Sequence, residues 1–196
     1  ISEGLARAAC AGEVNGEVVD LRTVLDSDCE LNILTAKDEK GLAVLRHTAS
    51  HVLAQAVQTL YPEAKVAIGP SIDTGFYYDF DHAPFSREDL DAIEKEMKKI
   101  IKKGAKIERF TKSREEAIAY FKEKNEPYKV ELVEDLPEGE EISFYSQGDW
   151  TDLCAGPHLM SVKPVKAFKL LSSSSAYWRG SEKNAMLTRI YGTAYA

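Results

Sequence analysis

The sequence predicts an α+β fold, on three observations. Helical and extended patterns intermingle along the chain without the strand-helix-strand alternation that marks a parallel α/β sheet. Residues 38 to 62 carry one long 3.6-residue apolar period. Near the start, Val14-Asn15-Gly16-Glu17 is a two-residue hairpin signal, because Asn-Gly tolerates the left-handed backbone of a tight antiparallel turn.

Taken in order, residues 1 to 37 are expected to be a small β-rich piece. The hairpin joins strands over Ala8 to Val14 and Glu17 to Leu21, with a third strand over Glu30 to Leu34. Three short strands make a thin core, and the chain opens on Ile1 rather than Met, so the piece is expected to be the tail of a domain cut on its N-terminal side. The long helix follows through Lys37-Asp38-Glu39-Lys40. Leu45, Val52, Leu53, Ala56 and Leu60 form its inward stripe, and Pro62 stops it. His47 and His51, one turn apart, fall nearly opposite that stripe among Ala43, Val44, Ala54, Gln55 and Gln58, a face that would leave room for a ligand.

Beyond Pro62, Gly75-Phe76-Tyr77-Tyr78-Asp79-Phe80 is an aromatic β-type run bounded by turns. Residues 87 to 103 form a second amphipathic helix, with Leu90, Ile93, Met97, Ile100 and Ile101 inward, Ser86 as N-cap and Gly104 as C-cap. Ser113 and Glu116 make a capping box that opens a third helix carrying Ala117, Tyr120 and Phe121. Strands are expected at 106 to 110, 129 to 133, 142 to 146 and 165 to 171.

Composition narrows the function. The chain is long enough for a proper core, has no apolar run near the ~20 residues a membrane helix needs, and shows no signal peptide, so a soluble protein with no membrane partner is expected. Three cysteines, Cys10, Cys29 and Cys154, lack disulfide-framework spacing and fit a reducing compartment. A net charge of −7 argues against a general nucleic-acid binder. One segment runs the other way: between Glu94 and Arg114 nine Lys or Arg residues face three acids, which makes either a local phosphate-facing surface or the solvated side of a helix.

Chemistry concentrates in two short signatures, His47-Thr48-Ala49-Ser50-His51 on the long helix and Cys154-Ala155-Gly156-Pro157-His158 in a segment that cannot be helical. Together they use three of the four histidines and one of the three cysteines. Alone, the helical pair could equally be solvated. With the turn pair it makes a His, His, Cys, His set whose ligand types suit tetrahedral zinc. The same residues could also be a buried Cys and a turn His bonded to the backbone.

Several runs then resemble, in order, the N-terminal region of bacterial-type threonyl-tRNA synthetases. They are Arg46 to Val57, Ile68-Gly69-Pro70 with Gly75 to Asp79, Tyr128-Lys129-Val130, Asp152 to His158, Ala176 to Gly180, and Arg189 to Ala194. The resemblance implies a truncated β-grasp (TGS, ubiquitin-like) piece over residues 1 to 40. It further implies an α+β editing domain, of the threonyl/alanyl-tRNA synthetase second additional domain type, over 41 to 196. The implied protein is cytoplasmic, and its implied partners are the serine-bearing 3′ end of tRNA(Thr) and the aminoacylation core of the full-length enzyme. An activation site built for threonine rejects serine poorly, because one methyl is worth only ~1–3 kcal/mol, so a second site that hydrolyses seryl-tRNA is implied. The family's pocket and catalytic positions map onto His47, His51, Lys129, Cys154 and His158, with Tyr78 and Asp152 in substrate recognition and the Asp152 carboxylate free to hold the substrate's ammonium or hydroxyl. No cofactor is expected to be required, with zinc on His47, His51, Cys154 and His158 as an option. Two alternatives stand beside this: a non-catalytic tRNA-binding or structural zinc module, and an alanyl-type trans-editing hydrolase.

Overall fold

A computed structural model describes residues 1–196. It opens with helix α1 (Glu3–Ala8), capped by Ser2, within the piece expected to be β-rich. Strands β1 (Ala9–Val14), β2 (Glu17–Val19) and β3 (Leu31–Thr35) then form an antiparallel sheet of order β2-β1-β3. Asn15 and Gly16 take positive φ at the β1-β2 turn, as a two-residue hairpin requires. β2 stops two residues short of the expected Leu21, because Asp20 turns away into a polar network described below.

Helix α2 (Glu39–Leu60) is the axis of the molecule. β4 (Lys65–Val66), β5 (Ser71–Ile72) and β6 (Gly75–Asp81) follow, then helix α3 (Arg87–Lys103), β7 (Ile107–Thr111), helix α4 (Arg114–Glu123) and helix α5 (Pro127–Asp135). The chain closes with β8 (Ser143–Gln147), β9 (Trp150–Leu153), β10 (Ala167–Tyr177) and β11 (Met186–Tyr195). A second antiparallel sheet runs β10-β11-β6-β4 with β5 also on β6, and a third runs β7-β8-β9. No helix is long and apolar enough to cross a membrane.

The main core is one cluster in which Cys10, Ala11 and Leu34 of the first sheet join Leu45, Val52 and Leu53 of α2, Phe76, Tyr78 and Phe80 of β6, and Leu90, Ile93 and Met97 of α3. Ser86 and Asp89 form the capping box of α3, and Gly104 at φ 66 ends it. A second cluster of Ala117, Phe121, Val133, Ile142 and Phe144 seats α4 and α5 on the third sheet.

Three expectations are corrected. Residues 129 to 133 are helical, within α5: their β-branched valines suggested a strand, but Pro127 at the first turn has its φ preset for a helix, and Val133 then packs against Phe121 and Phe144. Leu60, assigned to the inward stripe, is 39% exposed at the C-terminal end of α2. The opposite face of α2 is no open surface, since Val44 and Ala54 are core and Gln55 and Gln58 are bonded to Gln147 and Glu126. Sheets and helices cover most of α2, so its polar stripe faces a largely buried interior.

Candidate functional site

Burial of that stripe places His51 at 3% exposure and leaves His47 partly open to a cleft. The Cys154–His158 turn comes alongside after β9. Its shape depends on Gly156, which has φ 75 and where a Cβ would lie 2.2 Å from the Tyr145 hydroxyl. One ligand atom from each of His47, His51, Cys154 and His158 lies within 4.8 Å of the others. The Cys154 sulfur is 3.4 Å from His47 Nε2 and 3.2 Å from His158 Nε2, and accepts the Gly156 N–H at 3.3 Å. The His47 and His158 rings stack at 4.1 Å, and His51 lies 4.2 Å from His158.

The outward nitrogens are also held. His47 Nδ1 donates to the Pro157 carbonyl at 3.2 Å, which leaves Nε2 of the neutral ring with its lone pair toward Cys154 and the cleft. His158 Nδ1 meets the Thr48 hydroxyl at 3.0 Å, and that hydroxyl accepts the Leu159 N–H at 3.1 Å. Thr48 is a site residue that sequence reasoning passed over, although it sits inside the first signature.

Beside the cluster lies a buried charge pair. Lys129, from the first turn of α5, places its ammonium 2.7 Å from Asp152 Oδ1 as a charge contact without good hydrogen-bond alignment. The same ammonium donates to the Tyr78 hydroxyl at 3.0 Å, and that hydroxyl donates to Asp152 Oδ2 at 2.7 Å. His51 Nε2 is 3.5 Å from the same oxygen. Asp152 was expected to carry a free carboxylate. It does not: burial forces its charge to find partners, and Lys129 and Tyr78 supply them. Tyr78 serves both readings open to a strand aromatic, its ring in the core and its hydroxyl in the site.

Electrostatics follow from burial. Burial pushes His47 down, His51 down to about 3 despite the attraction of Asp152, and His158 well below the usual imidazole range. Burial likewise pushes the Cys154 thiol up to about 12 and Tyr78 well above the ordinary phenol value. For Asp152 burial favours the neutral acid, but the Lys129 ammonium and the neighbouring donors outweigh it and hold the carboxyl below its ordinary value. Burial thus favours neutral imidazoles and a neutral thiol beside one compensated ion pair.

A cleft of about 280 Å³ opens onto this set, lined by His47, His51, Lys129, Asp152 and Cys154 together with Ile68, Gly69, Pro70 and Leu132. A second hollow of about 370 Å³ adjoins it across His47, Pro70 and Gly156. The donor set fits zinc. A tetrahedral site with ~2.0–2.3 Å bonds puts ligand atoms ~3.3–3.6 Å apart, close to the 3.2 and 3.4 Å sulfur-nitrogen distances, while the set as a whole spreads up to 4.8 Å and would have to draw in around an ion. His47 donates its second nitrogen to a carbonyl, as metal-bound imidazoles do.

Away from the cleft, Lys98 and Lys102 of the basic run meet Lys163 and Lys166 around a groove floored by Ile101, Val165 and Phe168. The run is therefore one wall of a four-lysine surface. Lys163 and Lys166 were not anticipated, because they come from a different part of the chain.

Residues 1–35 match the TGS domain, and residues 142–191 match the Threonyl and Alanyl tRNA synthetase second additional domain. The chain thus carries a TGS match followed by a match to a synthetase second additional domain, the two in this order. Over all its 196 residues the chain is 67% identical to a threonine-tRNA ligase of Acetivibrio thermocellus and 63% to one of Clostridium botulinum, covering 31% of each. It is 60% identical to one of Caldanaerobacter subterraneus, covering 30% of it. From end to end the chain matches the N-terminal region of bacterial-type threonyl-tRNA synthetases.

Proposed function

We propose that this chain is the proofreading part of its parent enzyme and hydrolyses the ester of seryl-tRNA(Thr). The observation that carries the proposal is the convergence of His47, His51, Cys154 and His158 with the Lys129–Asp152–Tyr78 network on one cleft. In this reading the chain divides near residue 40 into a TGS piece and an editing domain, and its partners are the aminoacylated 3′ end of the tRNA and the aminoacylation core.

Ester hydrolysis needs an oriented water, a proton acceptor and stabilisation of the tetrahedral oxyanion. The Nε2 lone pair of His47 is directed by the Pro157 carbonyl and would orient and deprotonate the water. His51 and His158 hold that ring in place by their contacts with it. Asp152 Oδ1, in charge contact with Lys129 but with no aligned hydrogen-bond donor, would be the oxygen that receives the substrate's α-ammonium, and Lys129 beside it would stabilise the oxyanion or the departing 3′ oxygen. The neutral Cys154 thiol, 3.4 Å from His47 Nε2, would border the water's position. Serine is selected by fit: walls of Ile68, Gly69 and Pro70 would leave no space for threonine's extra methyl. Zinc held by His47, His51, Cys154 and His158 would supply Lewis acidity only if one of the four gave up its place to the substrate. Four protein ligands leave it no open position for water, so the metal-free route is the one we favour.

The four-lysine groove would carry part of the tRNA backbone. The donor set also suits a second reading, a tRNA-binding module with a structural zinc site. Release of serine and of threonine from tRNA(Thr), measured with this chain and with its parent enzyme, tests both. Fast loss of serine with threonine largely spared is expected. Equal rates refute the fitted pocket, and no release by the intact parent supports the binding module.

A further inference from the structure

The turn that presents Cys154 and His158 is held from outside by the N-terminal segment. Asp20 and Arg22 follow β2 and lie within the residues matched to the TGS domain, yet their partners are more than eighty residues away in sequence. Asp20 is 9% exposed. Its Oδ2 accepts the His158 backbone N–H at 3.2 Å and the Tyr145 hydroxyl at 2.8 Å. Its Oδ1 accepts the Arg22 N–H at 2.9 Å and the Arg22 guanidinium at 2.7 Å.

Arg22 carries the connection onward. Its guanidinium donates to the carbonyls of His158 at 3.3 Å and Leu159 at 2.9 Å, and to that of Ile107 on β7. It also lies 5.6 Å from the centroid of the Tyr145 ring. Tyr145 in turn occupies the space that a side chain at residue 156 would need. Both the N–H and the carbonyl of His158 are therefore bound by one charge pair from another part of the chain. The fork of a guanidinium reaches several carbonyls in fixed directions, which apolar packing cannot do. A buried charge pair adds little net stability over apolar packing of the same volume, so geometry is the better account of its presence here.

We propose that Asp20 and Arg22 are positioning residues for the hydrolytic site, a clamp through which the N-terminal segment sets the orientation of the His158 ring and the Cys154 thiol. The clamp rests on the deacylase function proposed above. Its effect reaches the water-activating position because the His158 ring stacks on His47 and sits 3.2 Å from the Cys154 sulfur.

Asp20→Asn tests this without leaving a cavity. Whichever way the amide turns, its NH2 faces a donor, either the Arg22 guanidinium or the His158 N–H. In the 196-residue chain, kcat for seryl-tRNA hydrolysis should fall about 10–100-fold, the usual scale for losing an outer positioning partner. KM should stay within about threefold, because the missing interaction acts on orientation rather than on uniform binding. Arg22→Met should behave alike and Arg22→Lys should lose less. Imidazole nitrogen resonances of His47, His51 and His158 should shift in Asp20→Asn and Arg22→Met, while those of His82, bonded instead to Glu63 and Ala83, should not. Native kcat with unmoved resonances in both variants overturns the clamp, as does a lowered urea midpoint with unchanged kcat in the folded protein. If neither the unaltered chain nor its intact parent releases serine, the deacylase function fails, and the ring resonances still decide whether Asp20 and Arg22 orient the turn.

Discussion

Replacing Lys129 by Met strands the Asp152 carboxylate. The two groups lie 2.7 Å apart with both side chains 3% exposed, so the carboxylate would lose a charged partner where solvation is poor. Removing one member of such a buried pair costs ~3–5 kcal/mol. For a chain of this size each kcal/mol moves Tm by ~2–4 °C, which predicts a fall of ~6–20 °C. The effect should depend on pH. In the unaltered protein the Asp152 carboxyl is held below its ordinary value, so its stabilising contribution is full above the unfolded carboxyl pKa and disappears as pH falls through the folded one. In Lys129→Met burial acts without the ammonium and pushes the carboxyl above its ordinary value. Its contribution is then full below the unfolded pKa and is lost as pH rises. The stability gap between the two proteins should therefore be widest near neutrality and narrow as the pH falls into and below the carboxylate range. Urea unfolding followed by fluorescence of the buried Trp150 and Trp178 measures it, at about pH 7 and about pH 4. Adding Asp152→Asn should recover most of the stability. Hydrolysis of seryl-tRNA should stay depressed ~10²–10³-fold, the scale for losing one oxyanion donor. A gap independent of pH, or a double variant no more stable than Lys129→Met, refutes the reasoning.

Three further outcomes follow from other parts of the molecule. Treatment with a chelator should leave seryl-tRNA hydrolysis nearly unchanged; a stoichiometric metal, measured by elemental analysis, whose removal stops turnover would overturn the metal-free route while leaving the site in place. Reversing the charges of Lys98, Lys99, Lys102 and Lys103 should weaken tRNA binding and flatten its salt dependence, by up to ~0.9 in the logarithmic slope for each phosphate no longer neutralised, without abolishing turnover at saturating tRNA. An unchanged slope in a titration over salt would assign the run to a solvated helix face. Gly69→Ala would bring a Cβ within 2.1 Å of the Tyr78 ring and 2.8 Å of the Tyr77 carbonyl. Overpacking of this kind costs ~1–3 kcal/mol and should displace the Tyr78 hydroxyl from Asp152, lowering Tm and hydrolysis together. A native Tm would show that the backbone at Gly69 gives way freely.

How legible each element was depended on how local its cause is. Helix α3 was readable to the residue, because Ser86, Asp89 and Gly104 act within one turn of its ends. The hairpin at Asn15-Gly16 was readable because two residues alone decide its backbone. Helix α5 was misread: Val130 and Val133 favour strands in isolation, and their packing partner Phe144 lies on a distant strand. Strand β11 was not anticipated as a strand, since its exposure alternates only once β6 and β10 flank it.

The same division runs through the site. By itself the sequence determined the helical spacing of His47 and His51, the turn chemistry of Gly156-Pro157 and the residue types that resemble a synthetase's proofreading region, because these are properties of neighbouring residues. Only the tertiary structure decided that most of α2 is covered, that Asp152 is paired with Lys129 and Tyr78, and that Asp20 and Arg22 grip the turn from the N-terminal segment. Those outcomes depend on which charges lose their water and which partners reach them across the chain, and no local pattern encodes a partner more than eighty residues away.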